Sequence, residues 1–211
     1  AFTVGFQGGG PCFTIENHTI DNNPFGPDGK TLDPAYAARM DRLIRAADEI
    51  GMIVIVSLLY QGQVTRFARE SAIEAAVRTG AGFLREGGYR NVILEVANEH
   101  DVGDFRSVPK VATEDGMAQL IEVARSASGG LPVGCSAGGG KAYLGVAEAS
   151  DVVLIHGNGQ TRQQLSNLVD RVRGWVADRP VGCTEDSPCV SRLDVACADG
   201  FSWGYYNNMS K

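Results

Sequence analysis

Two short stretches place acids where chemistry is easily done. In VILEVANEHD an apolar run breaks into an amide and a carboxylate, Asn98 and Glu99, and in RPVGCTEDS a second run ends in Glu185. Two carboxylates flanking one small space are what glycosidic bond cleavage needs: one protonates the leaving oxygen, while the other attacks the anomeric carbon or activates water. That chemistry requires the ends of the two runs to meet. The elements that deliver them therefore decide the question.

Short apolar runs ending in polar or Gly-rich residues alternate along the chain with segments of helical spacing, the signal for βα units and a parallel sheet. IVIVSLLYQGQ, NVILEVANE, LPVGCSAGGG, DVVLIHGNG and RPVGCTEDS read as strands, and FTVGFQGGG and GFSWGYYN add two more. Between them, Asp33 is placed to cap a helix with Pro34 at its first position, a stripe of Met40, Leu43, Ile44 and Ala47, and Gly51 as the stop. Thr113 caps a second helix with the stripe Met117, Leu120, Ile121 and Ala124, and a third carries Leu165, Leu168, Val169, Val172, Trp175 and Val176. No linker or composition break divides residues 1–211, so a single domain is expected.

A (β/α)₈ barrel spends roughly 30 residues per unit, so this chain accommodates about seven. The expected fold is an α/β TIM-type barrel of about seven strands that lacks the first βα unit. Alternate residues of a barrel strand face the interior, which puts Glu95, Ala97 and Glu99 on one face, and Val181, Cys183 and Glu185 on another. At roughly 30 residues per unit, Glu185 follows Glu99 by about three units, which sets the two acids across the C-terminal mouth, where barrel active sites lie. Glu95, deeper in the strand, would be buried and would need a partner or a raised pKa. Tyr60, Gln61, Gln7, His156 and Asn158 also fall at strand ends and are candidates for binding sugar hydroxyls. Trp203, at the end of the last strand, offers an aromatic face suited to a sugar ring.

With those residues in place, the chain resembles the clan A glycoside hydrolases, the cellulase-like retaining barrels. The matching features are NE at the end of the fourth barrel strand, a lone Glu at the end of the seventh and Trp in FSWGYY at the eighth. FTVGFQGG, DPAYAARMDRLIRAADEIGM, YRNVILEVANE, LIHGNG and SWGYY further resemble a bacterial cellulase-like group. The resemblance implies Glu99 as acid/base, Glu185 as nucleophile, Asn98 holding a sugar hydroxyl beside the nucleophile, and Trp203 as the sugar platform. It implies an oligo- or polysaccharide substrate and no cofactor.

Composition narrows the partners. The net charge is -6 and the basic residues are scattered, which argues against nucleic acid, and no apolar run approaches the roughly 18 residues of a membrane span. Cys189 and Cys197 are one candidate disulfide among five cysteines, and Asn17 and Asn208 head glycosylation sequons. The chain begins at Ala1, which is compatible with a removed leader; secretion or a periplasmic location is slightly favoured. SAGGGK lacks the spacing of a phosphate loop and reads as a turn. Two alternatives stand: a metal-dependent barrel hydrolase using His100, Asp101, His156 and Asp186, and a catalytically inactive carbohydrate-binding barrel or barrel fragment. An incomplete barrel leaves a strand edge to be covered, and a homodimer is one way to cover it.

Overall fold

The computed structural model describes residues 1–6 and 23–206, so Gln7, Cys12 and the sequons at Asn17 and Asn208 lie outside the described residues. Seven strands alternate with helices: β1 (Phe2–Gly5), β2 (Val54–Leu59), β3 (Val92–Ala97), β4 (Val133–Gly134), β5 (Val153–His156), β6 (Val181–Glu185) and β7 (Ser202–Trp203). All ladders are parallel, in the orders β1-β2-β3-β4 and β5-β6-β7. The fold is the expected partial (β/α) barrel, with β1 and β7 each paired on one side only among the described residues.

The seam between the two sheets is closed by Asp151. Its N–H donates to the Val133 carbonyl (2.8 Å), while its carboxylate accepts from the Val133 N–H (3.1 Å) and from Arg125 Nε (3.2 Å). Gly134 permits this approach, because a Cβ there would lie 2.2 Å from the Val152 carbonyl oxygen. Farther along, the Gly140 N–H reaches the His156 carbonyl at 2.9 Å.

The helices follow from local sequence. α1 (Pro34–Glu49) starts where Asp33 Oδ1 accepts the Tyr36 N–H at 2.7 Å and ends before Gly51, at φ 71. Met40, Ile44 and Ala47 are buried as expected, but Leu43, at the flank of that stripe, is 38% exposed. The strand expected through Tyr60 and Gln61 stops at Leu59 and gives way to the single turn α2 (Gln61–Val64), followed by α3 (Glu70–Gly87) and the short α4 (Pro109–Ala112). Thr113 Oγ1 accepts the Gly116 N–H at 3.1 Å to open α5 (Glu114–Ser128), whose Met117, Leu120, Ile121 and Ala124 are all buried. After α6 (Leu144–Ala149), α7 (Arg162–Trp175) begins with Thr161 and Gln164 capping each other's backbone, and α8 (Ser191–Asp199) precedes β7.

Strand alternation separates two faces. Val54, Val56 and Leu58 of β2 and Val92, Leu94 and Val96 of β3 join α1, α3 and α5 in one large core. Val153, Ile155, Val181 and Cys183 pack on α7 in a second, smaller one. Ile55, Val152 and Leu154, with Ile93 against them, plug the barrel interior. The four cysteines among the described residues are free thiols, which removes the Cys189–Cys197 disulfide. None of the described helices is long and apolar enough to cross a membrane.

Candidate active site

Glu99 does not simply continue the alternation of β3. The strand ends at Ala97, the Asn98 N–H donates to the Leu59 carbonyl (3.0 Å), and Glu99 itself adopts φ 55, the one positive φ of a non-glycine residue among those described. A left-handed conformation costs an L-residue about 1–2 kcal/mol and persists only where the surroundings enforce it. Ser136 supplies that support: its hydroxyl accepts the Glu99 N–H (3.0 Å) and its carbonyl accepts the His100 N–H (3.1 Å).

Glu185 reaches the mouth by another device, and the parity expected for β6 is corrected. Val181 and Cys183 face the helices, not the interior. The register then shifts: Ile155 pairs with Cys183 and His156 with Glu185, so Thr184 is the extra residue of a bulge on β6. The bulge turns Glu185 back toward the barrel axis. Burial pushes the Cys183 thiol up to about 12, as its place in the outer core requires. Asn158 Nδ2 donates to Glu185 Oε1 at 2.9 Å, and the Gly157 N–H donates to the Glu185 carbonyl at 2.8 Å.

The two acids meet at His156. Its Nδ1 lies 3.0 Å from Glu99 Oε1 and 3.9 Å from Glu185 Oε2, and one oxygen of each glutamate and a ring nitrogen all fall within 4.8 Å of one another. The glutamate side chains are 21% and 25% exposed while the ring is 2% exposed, so the carboxylates open to solvent and the imidazole forms the floor between them. Burial works against the His156 cation, but the Glu99 hydrogen bond and the charges of Glu95, Glu185 and Glu99 outweigh it and raise the ring's pKa. An ion could also sit within this spacing. In the structure His156 Nδ1 is hydrogen-bonded to Glu99 Oε1. One oxygen of each acid lies within 4.8 Å of the other, so both carboxylates face one small space.

Other expected site residues divide between the mouth and the scaffold. Asn98, half-buried beside Glu99, uses its backbone N–H on Leu59, and its side-chain amide has no hydrogen-bond partner among the described residues. Asn158 is committed to Glu185. Tyr60 precedes α2, where the Gln63 side chain reaches back to the Tyr60 N–H at 3.4 Å, and Gln61 lies against Gly103, where a Cβ would collide with its amide. Trp203, half-buried, stands at the end of β7. It pairs in register with Cys183 and joins the outer core, its indole N–H donates to Asp186 Oδ2 (2.8 Å), and its ring neighbour is Tyr205.

The metal set read from the sequence is not assembled. His100 Nδ1 faces the Val111 carbonyl at 3.1 Å, and burial lowers that ring's pKa. Asp101 accepts from Gly138 N (2.7 Å), Lys141 Nζ (2.6 Å) and Tyr143 OH (3.0 Å); burial would raise its carboxyl, but these donors hold it low. Asp186, fully buried, accepts from Arg192, Trp203 and the Ser187 N–H, and Arg192 also reaches the Gly157 and Gln160 carbonyls. This clamp ties the ends of β5, β6 and β7 together beneath Glu185. Sequence reasoning missed both Arg192 and Ser136; no local motif marks either, since each acts on a strand end distant in sequence.

No family model and no curated protein matches the chain. Solved structures share its fold. Thermotoga maritima Cel5A in complex with mannotriose aligns with a TM-score of 0.61 at 14% identity, covering 85% of this chain and 73% of that one. A GH5_18 protein from Streptomyces cattleya in complex with Manβ1-4GlcNAc gives 0.61 at 19%, covering 85% and 59%. The Rhizomucor miehei β-1,3-glucanosyltransferase in complex with laminaritriose gives 0.62 at 13%, covering 98% and 86%. The chain thus spans between about three fifths and six sevenths of these proteins, and its fold is that of TIM-barrel glycoside hydrolases.

Proposed function

We propose that the protein is a glycoside hydrolase that cleaves a β-glycosidic bond with retention, with Glu185 as nucleophile and Glu99 as acid/base. The observation that carries this reading is the pair of solvent-reaching carboxylates within 4.8 Å of one another at the mouth of the barrel. Glu185 attacks the anomeric carbon while Glu99 gives its proton to the departing oxygen, and Glu99 then removes a proton from the water that releases the sugar. Asn158 aims Glu185, His156 fixes Glu99, and the unengaged Asn98 amide is available to a sugar hydroxyl. The names of the structural neighbours support a β-linked substrate, since they include a β-mannanase and a β-1,3-glucanosyltransferase, with saccharides bound.

A panel of aryl β-glycosides, tested with the wild type and Glu185→Ala, checks the proposal. Turnover by the wild type, its loss in the variant and recovery with azide as a glycosyl azide of inverted configuration are expected. A wild type that binds oligosaccharide but releases no aryl group from any of them would replace this reading with that of a binding barrel.

A further inference from the structure

The mouth that holds the two acids also meets the demands of a metal ion. Among the described residues one cluster of three histidine, cysteine or acid side chains brings its donor atoms within 4.8 Å of one another, and it is Glu99, His156 and Glu185. His156 Nδ1 lies 3.0 Å from Glu99 Oε1 and 3.9 Å from Glu185 Oε2. Imidazole nitrogens and carboxylate oxygens bind zinc at about 2.0–2.2 Å, so two of them on one tetrahedral ion stand about 3.4 Å apart. The first separation is already shorter than that. The other two close when the carboxylates turn, and both reach solvent, at 21% and 25% exposure.

The surroundings prepare these ligands. Asn158 Nδ2 holds Glu185 Oε1 at 2.9 Å, which leaves Oε2 as the oxygen that faces the ring, and outer partners of this kind orient metal ligands. Among the described residues neither carboxylate pairs with a lysine or an arginine, so their charges are answered only at His156. The solvent side leaves a further coordination position for water, as open zinc sites do. We propose that Glu99, His156 and Glu185 form a site for a divalent ion of the zinc type, which bridges the two acids and inhibits by occupying the place of the sugar. A mixed nitrogen and oxygen set favours zinc over magnesium, which demands an octahedron of oxygens. The ion takes the place of the proton shared between Nδ1 and Glu99 Oε1: bonds form to those two atoms and to Glu185 Oε2, and the proton leaves to solvent. The inhibition rests on the proposed function; the site does not.

Calorimetric titration of chelator-treated protein with zinc chloride tests it. The wild type should bind one ion, and magnesium chloride at the same concentration should give no binding. Glu185→Gln and His156→Gln should each weaken zinc at least tenfold, since even the outer partners of metal ligands are worth about 10–100-fold. Replacing the exposed Cys189 and Cys197 by serine should leave the affinity unchanged. Zinc binding that survives both ligand changes, or that disappears with the two cysteines, overturns the inference. Should the ligand variants fail to fold, nitrogen-detected NMR of the wild type decides: zinc must shift the His156 ring nitrogens and leave those of His100, buried against Val111, in place, and an unshifted His156 would equally overturn it. With an aryl glycoside as substrate, zinc should raise KM and leave kcat unchanged; a fall in kcat at constant KM would overturn the inhibition. A protein that binds zinc in this way but turns over no glycoside would uphold the site and sink the function reading alone, and turnover without zinc binding would do the reverse.

Discussion

Glu99 and Glu185 are the same side chain brought to the same mouth by opposite devices. Glu99 stands past the end of its strand in a left-handed turn that Ser136 braces from the neighbouring loop. Glu185 remains within its strand and is re-aimed by a one-residue bulge, with Asn158 on its carboxylate and the Asp186–Arg192 pair beneath. The packing behind them differs as well. The strands from β1 to β4 rest on a single large core, whereas β5 and β6 rest on a smaller one centred on α7, with Trp203 of β7 partly buried against it. The first half thus stores strain at its acid and can absorb it; the second relies on pairing and a buried ion pair.

The largest expected effect separates the two acids by role. Glu99→Gln should lower turnover of substrates with poor leaving groups by about 10²–10⁴, the usual worth of a general acid. Activated aryl glycosides, which need little protonation, should suffer far less, while Glu185→Gln should stop both. Equal losses on good and poor leaving groups from the Glu99 change would dissolve the distinction.

Next in size is the clamp that only the second half possesses. Asp186→Ala leaves the Arg192 guanidinium, 11% exposed, without its carboxylate, and breaking a buried pair from one side costs about 3–5 kcal/mol. Denaturant melts should show that loss. A cost below about 1 kcal/mol would mean that β5, β6 and β7 are held together by packing alone.

Much of the barrel was legible in the sequence because its signals are local. Asp33, Thr113 and the stripe from Met117 to Ala124 act within one or two turns, and each lies where its spacing predicts. The site was legible only in outline. That Glu185 reaches the mouth follows from Thr184, whose role as the extra residue depends on the partner strand and leaves no mark on a single strand's alternation. Trp203 was legible as a strand-end aromatic, but its indole bond to Asp186 was not, because that contact arises only through pairing of β6 with β7. α3 escaped the pattern because Gly80 and Gly82 weaken its helical signal; a Cβ at Gly80 would sit 2.7 Å from Leu58 Cδ2 and would make that side chain move.

Acid should test the support around Glu99. Asp101 pins the loop after β4, and although burial alone would raise its carboxyl, the donors from Lys141, Gly138 and Tyr143 hold it below its ordinary 3.8. With the folded value depressed, its contribution is complete above about pH 3.8 and is lost as pH falls through the folded value. Asp101→Asn should cost about 1.5–3 kcal/mol at neutral pH, the worth of hydrogen bonds to a charged group. It should also flatten the acid limb of stability. An acid limb as steep as that of the wild type would assign acid sensitivity elsewhere.

The smallest expected effect is the most direct measure of how the two acids differ, because it isolates backbone from side chain. Replacing Glu99 by Ala or by Gly removes the same carboxylate and the same contact to His156, so the difference between the two variants reports the backbone alone. At φ 55 alanine retains the left-handed cost of about 1–2 kcal/mol, and glycine escapes it while giving back about 0.5–1 kcal/mol in chain entropy. Glu99→Gly should therefore be more stable than Glu99→Ala by up to about 1 kcal/mol. At position 185, inside β6, the order should reverse, since glycine in a strand is less stable than alanine by about 0.5–1 kcal/mol. The four variants compared in one denaturant series give the answer without any substrate. If alanine were the more stable at both positions, Glu99 would carry no stored strain, and its turn would be only a continuation of the strand that precedes it.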